Sequence, residues 1–497
     1  MEKFILVVDQ GTTSTRSILV NKQGKMIAQD SQPFQQYFPK PGWVEHDPEE
    51  IWQSVLKTMK AVIQKSKIKS EQIHSIGITN QRETVVAWNK KTGQSLYHAI
   101  VWQCRRTETH CQKIRLKEKG KLAKKIHHKT GLMIDPYFSS TKMSWLLNNV
   151  RSVKIAREEG NLCFGTIDAY LLFRLTSGNS FSTDVSNASR TMLMNLETTA
   201  WDLDLLKVFG IHFDELPQIQ SSDALFGETK GVDFLSDSTP IHGILGDQQA
   251  ALFGQLCFKP TEVKCTFGTG SFILFNTGTK KIRSKSKLLT TVAWKIGQQK
   301  TIYALEGGAF VCGAAVQWLR DQLGMIESSD EIETLAQCVS GSEGVEFVPA
   351  LTGLGAPYWR ADARGVICGL TRGSNKSHIA YATLEAMALQ NVEIIQAMEK
   401  DMGKKIKTLK VDGGATANQL LLQLQSDYLG AQVIRPKELE TTALGVAYMA
   451  GLGSHFWSGF DEIEKLWIKQ KDFLPQMNLK TRTGRMTKWR NAVARTF

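Results

Sequence analysis

Two short segments of the chain, about 255 residues apart, share one plan: an apolar strand, a glycine- and threonine-rich turn, and a second apolar strand. The first runs FILVVDQGTTSTRSILV from residue 4, and the second runs EVKCTFGTGSFILFN from residue 262. A plan that repeats at this distance predicts a duplicated architecture with a cleft between its halves. Gly/Thr turns between strands are common, so these two segments alone favour duplication and coincidence equally.

The rest of the chain supplies the elements that such a duplication needs. Strand-like apolar runs alternate with amphipathic helical patterns in both halves, which predicts an α/β fold. One helix begins at Asp47-Pro48, with glutamates early and lysines late, and the strand-then-helix pattern restarts at PIHGILGDQQAALFGQL from residue 240. At 497 residues the chain is about three times as long as a typical domain. We therefore expect two domains, residues 1–250 and 251–497.

The formal net charge of +13 is compatible with nucleic acid or with anionic small molecules as partners. The most lysine-rich run, LKEKGKLAKKIHHK at 116–129, has no interleaved aromatic residues to stack on bases, so we predict no nucleic-acid partner. The eight cysteines form no CxxC pair and several lie in apolar runs, which is typical of a reducing compartment. With no signal-like segment and no apolar run of about 18 residues, we predict a cytoplasmic protein without stable membrane association.

The first turn has the chemistry of a phosphate site. Glycine and hydroxyl residues let the backbone approach an anion and supply many donors, and Arg16 adds positive charge. Asp9 alone would repel phosphate, so the combination predicts a hard cation such as Mg²⁺ between them. An ordinary hairpin is the competing interpretation. The second turn, Gly268-Thr269-Gly270, offers a matching cradle.

A third glycine-rich turn occurs in VDGGATANQ, where Asp412-Gly413-Gly414 lies between a strand and a helix. This position suits a nucleotide packed against backbone, and a purely structural left-handed turn explains it nearly as well. No G-x-x-x-x-G-K-[ST] loop and no protein-kinase motif set is present, so any phosphate binding uses another fold.

Two further positions offer side chains for catalysis or substrate binding. In GITNQRETVVAW, Arg82 and Glu83 place a fork of donors beside a carboxylate, which can grip neighbouring hydroxyls of a polyol. A surface ion pair is the simpler explanation of these two residues. Asp247, where a predicted strand meets a helix, can act as a general base or as a helix N-cap, and the local pattern favours the cap.

Taken in order along residues 4–455, a dozen stretches resemble the motifs of the FGGY family of carbohydrate kinases. They are DQGTTSTR, PGWVEHDPEEIW, GITNQRET, VWQCRR, DPYFSSTKMSWLL, NASRTMLMN, GDQQAALFGQ, TFGTGSF, ALEGGAF, GLGAPYW, GLTRG and VDGGATAN. PGWVEHDP and GITNQRET point to the glycerol kinases within that family. The resemblance implies an actin- and hexokinase-type fold of two duplicated ribonuclease-H-like domains. It also implies ATP-dependent, Mg²⁺-dependent phosphorylation of glycerol to sn-glycerol 3-phosphate, by a homodimer or homotetramer.

The resemblance also implies roles for individual residues. The nucleotide would be bound by Thr12, Thr13, Ser14, Arg16, Thr269, Gly313, Gln317, Gly414 and Asn418. Glycerol would be bound by Arg82, Glu83, Trp102, Tyr137, Asp247, Gln248 and Phe272. Mg²⁺ would be held by Asp9 through water and by Asp247, and Asp247 would also be the general base.

One segment departs from the family pattern. The stretch PQIQSSDALFGETKGVDFLSDSTPI (217–241) lacks the glycine- and arginine-rich loop with which some relatives bind an inhibitory sugar bisphosphate. It also lacks the phosphorylatable histidine that other relatives carry there, so we predict weak or absent control by either route. Two alternatives remain: a kinase for another small polyol or ketose, and a non-catalytic scaffold switched by nucleotide. The Arg82-Glu83 pair and Trp102 argue against the first, because a tight three-carbon pocket should exclude longer sugars. Asp247, Arg82 and Glu83 argue against the second, because a scaffold has no use for side chains that grip a polyol.

Overall fold

The computed structural model describes residues 1–497, which form 23 β-strands, 16 α-helices and five short 3₁₀ helices. The strands are β1 (Phe4–Gln10), β2 (Ser14–Asn21), β3 (Met26–Pro33), β4 (Glu45–His46), β5 (Ile73–Asn80), β6 (Val85–Asn89), β7 (Ala99–Ile100), β8 (Leu162–Thr166), β9 (Ser182–Asp184), β10 (Met194–Asn195), β11 (Ala200–Trp201), β12 (Gln218–Gln220), β13 (Leu225–Glu228), β14 (Pro240–Gly246), β15 (Val263–Phe267), β16 (Ser271–Gly278), β17 (Leu289–Trp294), β18 (Ile302–Ala309), β19 (Glu346–Val348), β20 (Val366–Cys368), β21 (Thr408–Asp412), β22 (Gln432–Pro436) and β23 (Lys469–Phe473). The helices are α1 (Pro48–Ser66), α2 (Glu108–Leu116), α3 (Lys121–Thr130), α4 (Ser139–Asn149), α5 (Arg151–Glu158), α6 (Ile167–Leu175), α7 (Val185–Ala188), α8 (Leu203–Phe209), α9 (Asp247–Gly254), α10 (Gly313–Asp321), α11 (Glu331–Ala336), α12 (Lys376–Met402), α13 (Gln419–Leu429), α14 (Thr441–Gly453), α15 (Phe460–Glu464) and α16 (Leu479–Val493).

The first large sheet has the order β13-β14-β5-β1-β2-β3. Strands β1, β2 and β3 form an antiparallel meander, and β1, β5 and β14 run parallel to one another. Strand β13 closes the other edge in antiparallel orientation. Strand β1 is apolar from Phe4 to Val8, and both β1 and β5 are almost wholly buried, as expected where helices cover both faces of a parallel sheet.

The second large sheet repeats this arrangement strand for strand. Its order is β17-β18-β16-β15-β21-β22-β23. Strands β15, β16 and β18 form the antiparallel meander, β15, β21 and β22 are parallel, and β23 is the antiparallel edge strand. Only β17 has no counterpart in the first sheet. The predicted duplicated α/β fold is therefore confirmed, and the two Gly/Thr hairpins occupy equivalent places in it.

The two halves meet along a pair of helices, α9 and α14, that approach each other at glycines. A Cβ atom on Gly254 would lie 1.9 Å from the backbone oxygen of Thr441, and one on Gly445 would lie 1.8 Å from that of Ala250. Helix α14, from late in the chain, also packs on the first sheet, where a Cβ on Gly243 would lie 2.3 Å from the Ala450 nitrogen. Any larger residue at these glycines would push the helices and the sheet apart.

The hydrophobic core follows the same pattern, because one buried cluster combines side chains of β1 and β2 with those of α9 and α14. The predicted division after residue 250 falls inside α9. The assignment of domains to 1–250 and 251–497 stays a prediction. No helix of the chain has the combination of length and apolar character required to cross a bilayer.

Candidate active site

A cavity of about 790 Å³ lies between the two large sheets and is lined by residues of both halves. Ten of the residues predicted to bind substrate or nucleotide line it: Thr12, Thr13, Arg82, Glu83, Trp102, Tyr137, Asp247, Gln248, Thr269 and Phe272. Seven others lie outside this lining: Asp9, Ser14, Arg16, Gly313, Gln317, Gly414 and Asn418.

The topology explains why distant residues meet here. Because β1, β5 and β14 are parallel neighbours, their carboxyl ends share one edge of the first sheet. Asp9 lies at the end of β1, the Arg82-Glu83 pair follows β5, and Asp247 follows β14. The second sheet presents the turn 268–270 and the diglycine 413–414 in the same way.

Backbone hydrogen bonds shape both Gly/Thr turns. In the first, the Gly11 nitrogen donates to the Ser14 oxygen over 2.9 Å, and the Trp102 indole donates to the Thr12 hydroxyl over 3.1 Å. In the second, the Gly268 nitrogen donates to the Gly270 oxygen over 2.9 Å. A Cβ on Gly270 would lie 2.6 Å from the Ala309 oxygen, so this turn has no room for a side chain.

The remaining residues that were predicted to bind nucleotide lie near the second turn and at the rim of the cleft. Gly313 begins α10, and its nitrogen donates to the Gly268 oxygen over 3.0 Å. Gln317 is exposed on the same helix. The Asn418 side chain caps α13 by accepting from the Leu421 nitrogen over 2.8 Å. Arg16 pairs across the halves with Glu440. Nucleotide contacts by these residues stay predictions.

The left-handed helical conformation considered for the diglycine is not found: Gly413 has φ +92° and ψ 162°, a different positive-φ conformation that favours glycine. A Cβ on Gly413 would lie 2.5 Å from the Phe267 oxygen, whereas one on Gly414 would meet nothing within 4 Å. The first glycine is therefore required by the backbone, and the exposed Gly414 leaves space beside the second sheet.

Asp247 is the first residue of α9, and Gly246 is the N-cap. The interpretation of Asp247 as the cap is therefore wrong, because β14 continues in extended backbone through Gly246. The Asp247 Oδ1 accepts from the Gln248 nitrogen over 2.6 Å and lies 3.1 Å from Arg82 Nε. The side chain keeps 31% exposure, toward the cavity. Burial raises the pKa of Asp247, although Arg82 and Lys264 oppose the increase.

Asp9 is the second carboxylate at this edge. Burial raises the pKa of Asp9 to about 7; Arg16 opposes the increase, and the nearby carboxylates of Glu440 and Asp247 add to it. A divalent cation relieves such repulsion, and carboxylate oxygens are ligands that Mg²⁺ prefers. No group of three or more His, Cys, Asp or Glu side chains forms a complete cage. Asp9 and Asp247 therefore fit a cation that keeps water and phosphate oxygens among its ligands.

Arg82 and Glu83 are buried, with 3% and 1% exposure, so the surface ion pair is wrong. Arg82 Nη1 donates to Glu306 Oε2 over 2.6 Å, and Nη2 donates to Glu306 Oε1 over 3.0 Å. Glu83 Oε1 accepts from Arg190 Nε over 2.6 Å. Each residue of the predicted pair thus has its own opposite charge, supplied from elsewhere in the chain.

An aromatic wall faces this charged group. The ring centroid of Trp102 lies 5.6 Å from that of Tyr137 and 6.3 Å from that of Phe272, both in edge-to-face orientation. All three rings line the cavity. A small molecule with hydroxyls on one side and carbon on the other matches such a pocket.

Four buried polar residues of this site were not predicted: Arg190, Gln249, Lys264 and Glu306. Lys264 donates to the Gln248 side-chain oxygen and, over 2.7 Å, to the Thr266 hydroxyl. Burial lowers the pKa of Lys264, with Asp412 opposing. The stretches NASRTMLMN and ALEGGAF, which contain Arg190 and Glu306, were available as family-like motifs, but nothing local assigns them a role.

The chain is similar to known proteins over almost its whole length. The family model described as "FGGY family of carbohydrate kinases, N-terminal domain" matches residues 4–254, and its C-terminal counterpart matches residues 263–454. A glycerol kinase of Bdellovibrio bacteriovorus is 57% identical over 495 residues, covering 100% of this chain and 99% of that protein. A glycerol kinase of Parabacteroides distasonis is 50% identical, over 99% of this chain and 98% of that one.

Solved structures show the same similarity. The crystal structure of a Plasmodium falciparum glycerol kinase with ADP matches with a TM-score of 0.92 at 38% identity, covering 100% of this chain and 98% of that one. A ligand-bound xylulose kinase from Lactobacillus acidophilus matches with a TM-score of 0.86 at 23% identity, over 99% of this chain and 97% of that one. The second similarity concerns the fold alone.

Proposed function

Because this chain belongs to the FGGY family of carbohydrate kinases, we propose that it is an ATP:glycerol 3-phosphotransferase, which makes sn-glycerol 3-phosphate and ADP. The observation that carries the proposal is the convergence of Asp247 with the buried Arg82-Glu83 pair in a cavity that both Gly/Thr turns border. Glycerol kinases at 49–57% identity over the full chain support the choice of acceptor.

Glycerol lies between the charged pair and the aromatic wall in this proposal. Glu83 accepts a hydrogen bond from one hydroxyl, Arg82 and Gln248 donate to others, and Trp102 and Phe272 pack against the carbon atoms. Each role matches the side chain's chemistry: a buried carboxylate accepts, a guanidinium donates in a fork, and rings exclude water. The cavity presents these groups close together, which favours a short polyol over a longer sugar.

The reaction transfers the terminal phosphoryl group of ATP to a primary hydroxyl of glycerol. Asp247 accepts the hydroxyl proton as the new oxygen–phosphorus bond forms and the bond to ADP breaks. The pKa of Asp247, raised by burial, improves it as a proton acceptor. Thr12, Thr13, Ser14, Arg16 and Thr269 hold the phosphates, and Gly313, Gln317, Gly414 and Asn418 hold the rest of the nucleotide. Asp9, through water, and Asp247 would hold Mg²⁺, which would supply neutralisation of the phosphate charge.

Exclusion of water decides whether glycerol or water accepts the phosphoryl group. The aromatic side chains Trp102, Tyr137 and Phe272 line the cavity and displace water from the side on which the carbon atoms of glycerol would pack. A site that closes around glycerol and ATP keeps water from competing as the acceptor.

The cellular setting is part of the proposal. All eight cysteines are free and six of them are buried, which suits a reducing compartment and therefore the cytoplasm. Assembly as a homodimer or homotetramer, and the absence of a nucleic-acid partner, stay predictions.

The test measures ADP release from purified protein with ATP, Mg²⁺ and, in turn, glycerol, dihydroxyacetone, erythritol, ribitol and xylulose. We expect glycerol to have the highest kcat/KM, and Asp247→Asn to reduce kcat by at least about a hundredfold. Asp204→Asn, an exposed aspartate at the start of α8, is the matched control and should retain full activity. A longer polyol as best substrate would contradict the pocket assignment, and ATP binding without turnover on any acceptor would favour the scaffold.

A further inference from the structure

Glu306 lies on β18 of the second sheet, outside the cavity lining, yet its carboxylate accepts from Arg82, which lines the cavity. Its side chain is 2% exposed, and both of its oxygens accept from arginines of the first half. We infer that Glu306, together with Arg190, is a positioning residue that holds Arg82 and Glu83 in the geometry that binds the substrate hydroxyls. This inference rests on the proposed function and adds residues to it.

The contacts of Arg82 leave one group free for a ligand. Nη1 donates to Glu306 and, over 3.1 Å, to Gln249, and Nη2 donates to Glu306. Nε lies 3.1 Å from Asp247. A guanidinium has five N–H groups, and the fifth, on Nη2, has only the Tyr137 hydroxyl at 3.5 Å. Because Arg82 and Tyr137 both line the cavity, this weakly engaged N–H is the one available to a substrate hydroxyl.

Arg190 holds Glu83 in place, as Glu306 holds Arg82. Arg190 is fully buried, its Nε donates to Glu83 Oε1 over 2.6 Å, and its Nη2 donates to Glu306 Oε1 over 2.9 Å. Glu83 Oε2 has no hydrogen bond within the protein, and the residue lines the cavity. One oxygen of Glu83 is thus fixed by the arginine, and the other is left for a hydroxyl donor.

The backbone of Glu83 requires such an anchor. Its φ is +62°, in the left-handed region that residues with a Cβ rarely occupy. Backbone in that region persists only where the surroundings hold it. Here the Lys142 amine and the Ser139 hydroxyl each donate to the Glu83 backbone oxygen over 3.1 Å, and Arg190 holds the side chain.

The charges around Glu306 predict how the site changes when this residue is neutral. Two buried arginines then share Glu83 and Asp247 as their only close acidic partners, since Glu306 supplies three of the short nitrogen–oxygen contacts. Without the charge of Glu306, the two arginines are attracted more strongly to Glu83 and Asp247. This attraction moves the Glu83 carboxylate and the Arg82 guanidinium away from the positions in which they bind the substrate hydroxyls. The expected consequence is weaker binding of glycerol, with less effect on the nucleotide at the two turns.

Glu306→Gln keeps the shape of the side chain and removes its charge. We expect its glycerol KM to rise at least tenfold, while its ATP KM stays within twofold of the wild type. Arg190→Lys keeps the positive charge but loses the fork that reaches both glutamates, so it should raise the glycerol KM similarly. Glycerol should also raise the thermal unfolding midpoint of both variants less than that of the wild type, a readout independent of turnover.

Glu346→Gln is the matched control, because Glu346 is a buried glutamate that pairs with Arg485 over 2.8 Å and lies outside the cavity lining. It should leave both KM values unchanged. A folded Glu306→Gln enzyme with wild-type glycerol KM, or with glycerol and ATP KM values raised equally, overturns the inference. If Glu306→Gln does not fold, Arg190→Lys decides by the same criteria. Failure of the proposed function looks different: the wild type itself then neither phosphorylates glycerol nor is stabilised by it.

Discussion

The two large sheets have the same strand order but present different chemistry at corresponding strand ends. Asp9 on β1 corresponds to Thr266 on β15, and Gln81-Arg82 after β5 correspond to Gly413-Gly414 after β21. The first sheet therefore offers charged side chains to the cavity, and the second offers hydroxyls and bare backbone. Under the proposed function, one scaffold serves two recognition problems: side chains of the first sheet select a small polyol, and open backbone of the second accommodates a large nucleotide.

The largest effect should come from changing the carboxylate that distinguishes the first sheet. Asp9→Asn removes a negative charge from the proposed Mg²⁺ site, and we expect kcat to fall by about a hundredfold or more, with a higher Mg²⁺ requirement. The measurement is steady-state kinetics over a Mg²⁺ titration.

Thr266→Ser is a conservative change at the corresponding strand end of the second sheet. It keeps the hydroxyl that accepts from Lys264, so kcat should stay within about twofold of the wild type. Equal losses in Asp9→Asn and Thr266→Ser would show that the two strand ends do not differ in the way proposed.

The next effect concerns the backbone of the second sheet. Gly413→Ala adds a Cβ 2.5 Å from the Phe267 oxygen at a φ of +92°, and we expect a loss of about 2–4 kcal/mol in the free energy of unfolding and a higher ATP KM. Gly414→Ala, whose Cβ meets nothing within 4 Å, should change the free energy of unfolding by less than about 0.5 kcal/mol. Denaturant unfolding of the two variants measures the difference, and similar stabilities would contradict the assigned turn.

A smaller effect is a loss of stability at low pH, caused by His46, which supports the first Gly/Thr turn. His46 is fully buried between the side chains of Gln36 and Gln81, and Gln81 donates to the Gly11 oxygen over 3.1 Å. Burial, with a smaller contribution from His98, lowers the pKa of His46 from 6.5 to about 4. The unfolded chain therefore binds a proton more readily than the folded one, and stability falls as the pH drops through this window. We expect a loss of about 2 kcal/mol between pH 7 and pH 5.

His46→Gln should have a flatter stability profile over the same range, because its side chain does not titrate. Thermal or denaturant unfolding at several pH values checks the difference between the two proteins. A variant with the wild-type slope would assign the pH dependence to another group.

The smallest effect is expected from a regulatory ligand that would bind outside the cavity, at the segment 217–241. Because the segment 217–241 lacks a glycine- and arginine-rich loop, fructose 1,6-bisphosphate at millimolar concentration should change glycerol phosphorylation by less than about twofold. Micromolar inhibition in the coupled assay would contradict this prediction.

The local parts of the site were predictable. Asp9, the first turn and the second turn each lie at a strand end that the apolar pattern of their own segment marks. Asp247 was placed correctly where a strand meets a helix, but its position within the helix was not, because whether β14 stops before or at Gly246 depends on its pairing with β5. From the two hairpins alone the duplication was one of two equal interpretations; the family-like motifs favoured it, and the matching strand orders confirm it.

What the sequence determined by itself was the order of strands, turns and helices and the family-like motifs, because periodicity and turn chemistry are local properties. Only the tertiary structure decided which charged residues are buried and which opposite charges they contact. Arg82 and Glu306 are 224 residues apart, and no pattern near Arg82 indicates that it is buried. A buried charge is stable only with an opposite charge and hydrogen bonds around it, and those come from whichever strands the fold brings together.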